Sequence, residues 1–296
     1  MTAQEAQRDP NTQGDIISSV GLTALAVAGG RASESQRPDR LIDDPFADPM
    51  VQATDPEANL PGYGPDDPNR HLMADMANYI GVRSRFFDEF FDSAAATGVR
   101  QAVILASGLD TRGYRLRWPQ GTRVFEIDQP LVLEFKDTIL DGLNAQPSSE
   151  LRNVAVDLRD DWPAALRDSG FDPALPTAWL AEGLLPYLPA AAEAQLLTKI
   201  DELSAPGSRL AVESVPGDRS RLLEDQSQHL PQDSGMNMEE LFNTESRAEP
   251  SERLAELGWQ VRKQGAPEVA AGYGRELTGF ATVITTHQSF LTAELP

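Results

Sequence analysis

Two stretches of the chain carry residue types that hold a ribose. In the loop 106–113 (ASGLDTRG) Gly108 follows an apolar run, and Glu126 and Asp128 end the next one. Glycine lets a backbone approach a ligand closely, and α/β nucleotide-binding folds hold the ribose diol with a carboxylate about 20 residues after that glycine. Asp128 lies 20 residues after Gly108. Glu126 lies two residues before Asp128, so the two side chains point to the same face of the strand. A bend at the strand end could still separate their roles.

The glycine spacing bears on which nucleoside ligand is bound. Gly108 and Gly113 are separated by four other residues, so the G-x-G-x-x-G pattern of dinucleotide sites is incomplete. A dinucleotide needs glycines where its pyrophosphate meets a helix N-terminus, whereas S-adenosylmethionine (SAM) carries no phosphate. The spacing therefore favours SAM and leaves NAD open as the alternative.

Two further acids end apolar runs downstream. Asp157 and Leu158 follow NVAV, where they could bind the adenine amino group and pack on its ring. Alternatively, Asp157 could cap the helix that follows. Glu182 follows TAWLA, so it could face the same crevice or pair with Arg83.

Arg83 is a charged residue on the apolar side of a predicted helix over residues 71–96. It lies seven residues after Met76 and four before Phe87, which is helical spacing. An unpaired buried charge is very costly, so this guanidinium needs an anionic partner. That partner could be a carboxylate of the protein or of a ligand.

The elements that must position these residues alternate in type. Short apolar runs predict strands and amphipathic stretches predict helices, which indicates a parallel sheet with helices on both faces. In such a sheet, ligands bind beyond the carboxyl ends of the strands. The predicted strands are 102–106, 123–128, 153–157, 177–182 and 208–214, with two last strands over 259–264 and 280–286; the helices between them are 131–143, 162–169 and 190–203.

The remaining segments suggest the domain organisation. We expect residues 1–15 to be a disordered tail, and 16–98 to form an N-terminal helical cap that includes a proline-rich loop. Residues 99–296 form the predicted SAM-binding domain, in which the polar block 216–250 interrupts the alternation and is a candidate lid.

Composition excludes several classes of function. The net charge is −21, which disfavours nucleic acid and anionic membranes as partners. The chain contains no cysteine, and His71, His229 and His287 are scattered, so no metal site is predicted. The N-terminus lacks a secretory signal, and its apolar stretch of about 15 residues is too short to span a bilayer. We therefore expect a cytoplasmic protein.

Seven motifs in consistent order resemble one family, the leucine carboxyl methyltransferase-like family of SAM-dependent methyltransferases, and in particular its actinobacterial branch. The resemblance covers roughly residues 16–285. The motifs are RPDRLIDDPFAD (37–48), GVRSRFFDEFF (81–91), ILASGLDTRGYRL (104–116), VFEIDQP (124–130), VDLRDDW (156–162), AEGLLPYL (181–188) and GWQV…YGR (258–275).

The resemblance implies a Rossmann-like sheet of seven strands, the last antiparallel, and a role for each site residue. Arg83 would meet the SAM carboxylate, and Gly108, preceded by Ser107, would lie beneath the methionine moiety. Asp128, with Glu126, would bind the ribose hydroxyls, and Asp157 and Leu158 would bind adenine. Glu182 would face the methionine amino group or the methyl-transfer pocket.

Methyl transfer from a sulfonium is an in-line displacement that positioning and desolvation can accelerate. A carboxylate acceptor needs no base, whereas a hydroxyl acceptor could use Tyr187 or His229. Glu182 and Tyr187 are thus the candidate catalytic residues. We expect O-methylation of a carboxylate or hydroxyl on a small or lipid-like metabolite; the alternatives are an NAD-linked oxidoreductase and a SAM-binding protein without turnover. The sequence selects neither the acceptor nor the oligomeric state.

Overall fold

The computed structural model describes residues 19–53, 70–216, 243 and 245–296. Its strands are β1 (Gln101–Leu105), β2 (Arg123–Asp128), β3 (Glu150–Ala155), β4 (Thr177–Ala181), β5 (Arg209–Ser214), β6 (Gln260–Gly265) and β7 (Ser289–Glu294). Its helices are α1 (Ser19–Ser35), α2 (Ala47–Gln52), α3 (Arg70–Ala96), α4 (Arg112–Arg115), α5 (Pro130–Gly142), α6 (Trp162–Asp168), α7 (Ala190–Glu202), α8 (Pro250–Glu256), α9 (Ala266–Gly272) and α10 (Gly279–Thr285), with a 3₁₀ turn at Leu185–Tyr187. None of these helices is long and apolar enough to span a membrane.

The strands form one sheet in the order β3-β2-β1-β4-β5-β7-β6. Strands β1 to β5 pair in parallel, while β7 lies antiparallel between β5 and β6. The order reverses direction beside β1, so the crevice at the carboxyl ends of β1 and β4 is the topological switch point where such sheets bind ligands. This arrangement confirms the predicted Rossmann-like sheet of seven strands with an antiparallel last strand.

The central strands are buried on both faces because the apolar runs supply side chains to both sides of the pleat. All five residues of β1 are buried. Val103 packs in a core with Trp162 of α6, whereas its neighbour Ala102 packs in the opposite core with Phe87 of α3. Helix α3 therefore shares a core with the sheet and covers one of its faces.

Helix α1 packs closely against α3, and glycines make the close approach possible. A Cβ atom on Gly81 would lie 2.6 Å from Cδ of Glu34, and one on Gly30 would lie 2.9 Å from Cγ1 of Ile80. The buried Glu34 also accepts a hydrogen bond of 2.9 Å from Nη2 of Arg275, a residue of the last predicted motif. This contact connects the N-terminal helix to the C-terminal part of the chain.

The first five predicted strands and the strand over 259–264 are confirmed, with ends shifted by at most three residues. The strand predicted over 280–286 is wrong, because residues 280–285 lie in α10 and Thr286 is its C-cap. Its β-branched residues suggested a strand. In the structure Ala281 and Thr285, four residues apart, are both fully buried where α10 packs on α3. The Oγ1 of Thr285 donates to the carbonyl of Ala281, and the last strand is β7.

Most of the predicted lid falls outside the described residues, as does the predicted tail 1–15. The end of the block that is described lies beside α7. Arg247 donates to Glu193 over 2.8 Å and to the carbonyl of Leu188 over 2.7 Å, and both charged side chains are buried. Leu188 also lines the cavity described below, so the hydrogen bond to its carbonyl holds Arg247 near the rim of that cavity.

Candidate functional site

A cavity of about 320 Å³ lies at the carboxyl ends of β1, β2 and β4, with α1 forming the opposite wall. Its volume is in the range of small-molecule sites. It brings together eight of the residues predicted from the sequence: Arg83, Ser107, Gly108, Asp128, Asp157, Leu158, Glu182 and Tyr187.

The backbone of the loop after β1 lines this cavity, and two residues of the loop have a positive φ. Ala106 has a φ of 48° and Gly108 a φ of 51°, a region that favours glycine. Two cations from different helices hold the loop. Arg31 of α1 donates to the carbonyl of Leu109 over 2.6 Å, and the ammonium of Lys136 lies 3.2 Å from the carbonyl of Asp110.

Asp128, at the end of β2, faces the cavity beside this loop. Its carboxylate accepts one hydrogen bond from the backbone of Gly108 over 2.6 Å and another from that of Gln129 over 2.7 Å. Burial raises the pKa of Asp128, an effect that these two N–H groups offset in part. A carboxylate has about four acceptor positions, so the described residues leave two for the hydroxyls of a ribose.

Glu126 lies elsewhere, in contrast to the prediction that it shares the ribose site. It is fully buried, forms an ion pair with the equally buried Lys136 and does not line the cavity. Burial raises the pKa of Glu126. Because Lys136 also reaches the loop after β1, Glu126 supports that loop from inside the protein.

Asp157 does not cap the helix that follows it. The N-cap of α6 is Asp161, whose side chain accepts a hydrogen bond from the backbone of Ala164. Arg159 binds both carboxylate oxygens of Asp157, over 2.9 and 2.6 Å, and lowers its pKa. Arg159 is largely exposed, so a ligand could displace its guanidinium. Leu158 contributes an apolar wall next to this pair.

Arg83 is paired with two carboxylates of the protein, one of the two alternatives that its position on the helix allowed. Its Nε lies 2.7 Å from Oε1 of Glu182, and its Nη1 lies 3.0 Å from Oε2 of Glu213. Burial alone would lower the pKa of Arg83, but the negative charges of Glu213 and Glu182 outweigh this effect and raise it. Within the described part of the chain, no hydrogen bond uses its second terminal nitrogen, Nη2. Arg83 still lines the cavity, so that nitrogen is free to meet an anionic ligand group.

Sequence reasoning missed Glu213, the last acid of β5. This buried carboxylate accepts hydrogen bonds from Tyr79, from Arg83 and, over 2.8 Å, from the backbone of Gly183, which turns with a φ of 62°. Like Asp128 and Glu182, Glu213 lies near the end of an apolar strand. This position in the sequence could have indicated that Glu213 belongs to the site.

Arg112 and Arg115 were also missed, although Arg112 is part of the glycine loop motif. Arg112 contacts Glu182 and Asp88, each over 2.7 Å, and also pairs with Asp110. Arg115 binds both oxygens of Asp88. Asp88 itself is buried, and these two arginines neutralise its carboxylate.

Two buried hydroxyls in the cavity wall fit a polar ligand. The Oγ atoms of Ser84 and Ser107 are fully buried and make no hydrogen bond within the described residues. Unpaired buried polar atoms are uncommon, so each needs a partner beyond those that the described residues provide. Both lie on elements that also carry predicted cofactor residues, and a zwitterionic amino acid group would supply donors and acceptors for them.

Tyr187 lines the cavity, and its hydroxyl is hydrogen-bonded to Thr23 of α1. Burial raises the pKa of Tyr187. The phenol therefore stays protonated near neutral pH, which suits a hydrogen-bond donor better than a general base. The other candidate base, His229, lies outside the described residues.

The fold and this cavity define a Rossmann-like α/β class of protein with a ligand site at the switch point of its sheet. Two solved structures share the fold at 17% sequence identity: a DUF574 family protein from Streptomyces avermitilis (TM-score 0.52, covering 91% of this chain and 97% of that one) and a protein provisionally described as a methyltransferase from Thermobifida fusca (TM-score 0.51, covering 84% and 93%).

Sequence comparison defines the family. The model of the leucine carboxyl methyltransferase family matches residues 24–201, and the chain belongs to this family. A relative from Saccharopolyspora erythraea is 52% identical over 96% of this chain and 98% of its own length. One from Mycolicibacterium smegmatis is 50% identical over 95% and 97%. Both carry the provisional name S-adenosyl-L-methionine-dependent methyltransferase.

Proposed function

We propose that this chain binds SAM in the cavity and transfers its methyl group to an oxygen, a carboxylate or a hydroxyl, of a small or lipid-like molecule. The observation that carries the proposal is the convergence of the Gly108 turn, Asp128 and Arg83 on one cavity. Membership of the leucine carboxyl methyltransferase family and the names of the relatives support SAM as the methyl donor.

The cavity suggests an orientation for the donor. Asp128 would hold the ribose hydroxyls, and the adenine would lie along Leu158 beside Asp157. The methionine end would then lie over Gly108, where its carboxylate meets Arg83 and its ammonium group meets Glu182. The hydroxyls of Ser84 and Ser107, which lack protein partners within the described residues, would complete this end.

The chemistry would be a direct displacement. An acceptor oxygen attacks the methyl carbon, the carbon–sulfur bond breaks, and its electron pair stays on the sulfur. The protein contributes by aligning the two reactants and excluding water. Glu182, held by Arg83 and Arg112, would fix the donor, and the protonated Tyr187 would donate a hydrogen bond near the acceptor.

Calorimetric titration with SAM tests this assignment. We expect saturable binding to the natural chain and a loss of about 10- to 100-fold in affinity for Asp128→Ala, because charge-assisted hydrogen bonds contribute about 1.5–3 kcal/mol. Asp141→Ala removes an exposed carboxylate from α5 and serves as the matched control. Equal SAM affinity in both variants would refute the placement of the ribose.

A thermal-shift comparison separates the alternatives. SAM and S-adenosylhomocysteine should raise the melting temperature, because ligands that bind only the folded state stabilise it. Stabilisation by NADH instead would favour the oxidoreductase. Tight SAM binding without release of S-adenosylhomocysteine, across a screen of hydroxyl and carboxylate acceptors, would favour a binding protein without turnover.

A further inference from the structure

The charged side chains behind the cavity wall form one connected network. Ion pairs of 2.5 to 3.0 Å join all of its members, and none of the side chains is more than 13% exposed. Within the described part of the chain, the members are Arg83, Arg112, Arg115, Asp88, Asp110, Glu182 and Glu213.

This network has an excess of negative charge. It contains three guanidinium groups and four carboxylates, which leaves a formal charge of −1. Tyr79 does not change this charge, because burial beside Glu213 raises the pKa of its phenol well above the ordinary value and keeps it neutral. An excess charge in a buried site is unfavourable unless a counter-charge lies nearby.

The network opens onto the cavity, where the other charged residues do not cancel its excess. Arg83, Asp110, Arg112, Arg115 and Glu182 belong both to the network and to the cavity wall. Of the remaining wall residues, Arg31 is paired with Asp44 and Arg159 with Asp157, while Asp128 adds a further negative charge. Among the described residues, the cavity therefore favours a cationic occupant.

The two forms of the proposed cofactor differ in charge by one unit. SAM has a carboxylate, an ammonium and a sulfonium, and so a net charge of +1. When the methyl group leaves, the electron pair of the broken bond converts the sulfonium to a thioether. The product, S-adenosylhomocysteine, is a neutral zwitterion overall.

On the basis of the proposed function, we propose that Glu213 makes this site prefer the cationic methyl donor, SAM, over the neutral product, S-adenosylhomocysteine. Glu213 does not line the cavity, but it contacts two elements that do, Arg83 and Gly183. Its carboxylate makes the network negative, so the attraction for the ligand weakens when the sulfonium is consumed. The same charge would thereby favour exchange of product for fresh donor.

The experiment compares three ligands by calorimetry: SAM, S-adenosylhomocysteine, and sinefungin, which has a cationic amine near the position of the sulfonium. In Glu213→Gln we expect the ratio of the product Kd to the SAM Kd to fall about tenfold, which corresponds to about 1.4 kcal/mol. Sinefungin should lose affinity as SAM does.

Three further variants separate charge from structure. Glu182→Gln removes another charge of the network and should also lower the ratio, so it decides the question if Glu213→Gln does not fold. Tyr79→Phe keeps the charge and should leave the ratio unchanged. Glu193→Gln, which removes a buried carboxylate paired with Arg247 outside the network, is the matched control and should also leave it unchanged.

The two proposals fail in different ways. If SAM binds to all variants and the ratio is the same in Glu213→Gln and Glu182→Gln as in the natural chain, Glu213 does not set the preference. If the natural chain binds neither SAM nor S-adenosylhomocysteine, the proposed function itself is refuted.

Discussion

At the scale of single residues, Asp128 illustrates a conflict between binding and stability. Burial raises the pKa of its carboxyl, so the folded protein favours the neutral form. The carboxyl of Asp128 therefore makes its full contribution to the free energy of unfolding below its ordinary pKa of about 4. That contribution is lost as the pH rises through the higher pKa of the folded state. At neutral pH the ionised carboxylate costs stability, although that is the form a ribose needs.

We therefore expect Asp128→Asn to gain stability relative to the natural chain as the pH rises from 4 to 7, while its affinity for SAM falls. Urea unfolding at a series of pH values measures the first effect and calorimetry the second. The exposed Asp141→Asn is the control. A stability difference that shrinks with rising pH would contradict the sign of the pKa shift.

The sequence revealed those site residues that end strands, because strand-end acids and the glycine turn have a recognisable spacing. It could not reveal their partners. Glu126 and Asp128 share a strand side in the pattern, yet only the fold shows that Lys136 binds one of them in the interior. Likewise, the two acids that hold Arg83 lie about 100 and 130 residues away along the chain, and local pattern carries no information on such distant contacts.

At the scale of elements, the crossing of α1 and α3 depends on close backbone approach. A methyl group on Gly81 would collide with the buried side chain of Glu34, which is itself bonded to Arg275. We expect Gly81→Ala to lower the free energy of unfolding by about 1–3 kcal/mol, the usual cost of overpacking. Chemical denaturation measures this effect.

Gly142→Ala is the matched control for that substitution. Gly142 is an exposed residue at the end of α5, and a Cβ atom there would meet nothing within 4 Å. Since alanine favours helix more than glycine does, this variant should be unchanged or more stable by up to about 1 kcal/mol. If both variants gained stability, the crossing would not be tightly packed.

Secondary structure was predictable where periodicity and composition agreed, as in β1 to β5 and the long helix α3. It was not predictable over 280–286, where β-branched residues indicated a strand. There, tertiary packing of Ala281 and Thr285 on α3 outweighs the intrinsic preference of the residues.

At the scale of the whole molecule, the net charge of −21 should dominate the response to salt. Like charges on the surface repel one another in the compact state, and salt screens this repulsion, with a Debye length that falls from about 30 Å at 0.01 M to about 8 Å at 0.15 M. We expect the melting temperature to rise over this range of sodium chloride. A melting temperature that falls instead would show that attractive surface pairs outweigh the repulsion.

The Glu213 contacts have an evolutionary consequence. Because one buried carboxylate satisfies Tyr79, Arg83 and the Gly183 turn together, a change at any of these positions alone would leave a buried charge or donor unmatched. Within this family, such positions should change together or not at all. A lineage that replaced Glu213 while keeping Arg83 would have to acquire a second acid nearby, so paired substitutions in an alignment would trace the network from sequence alone.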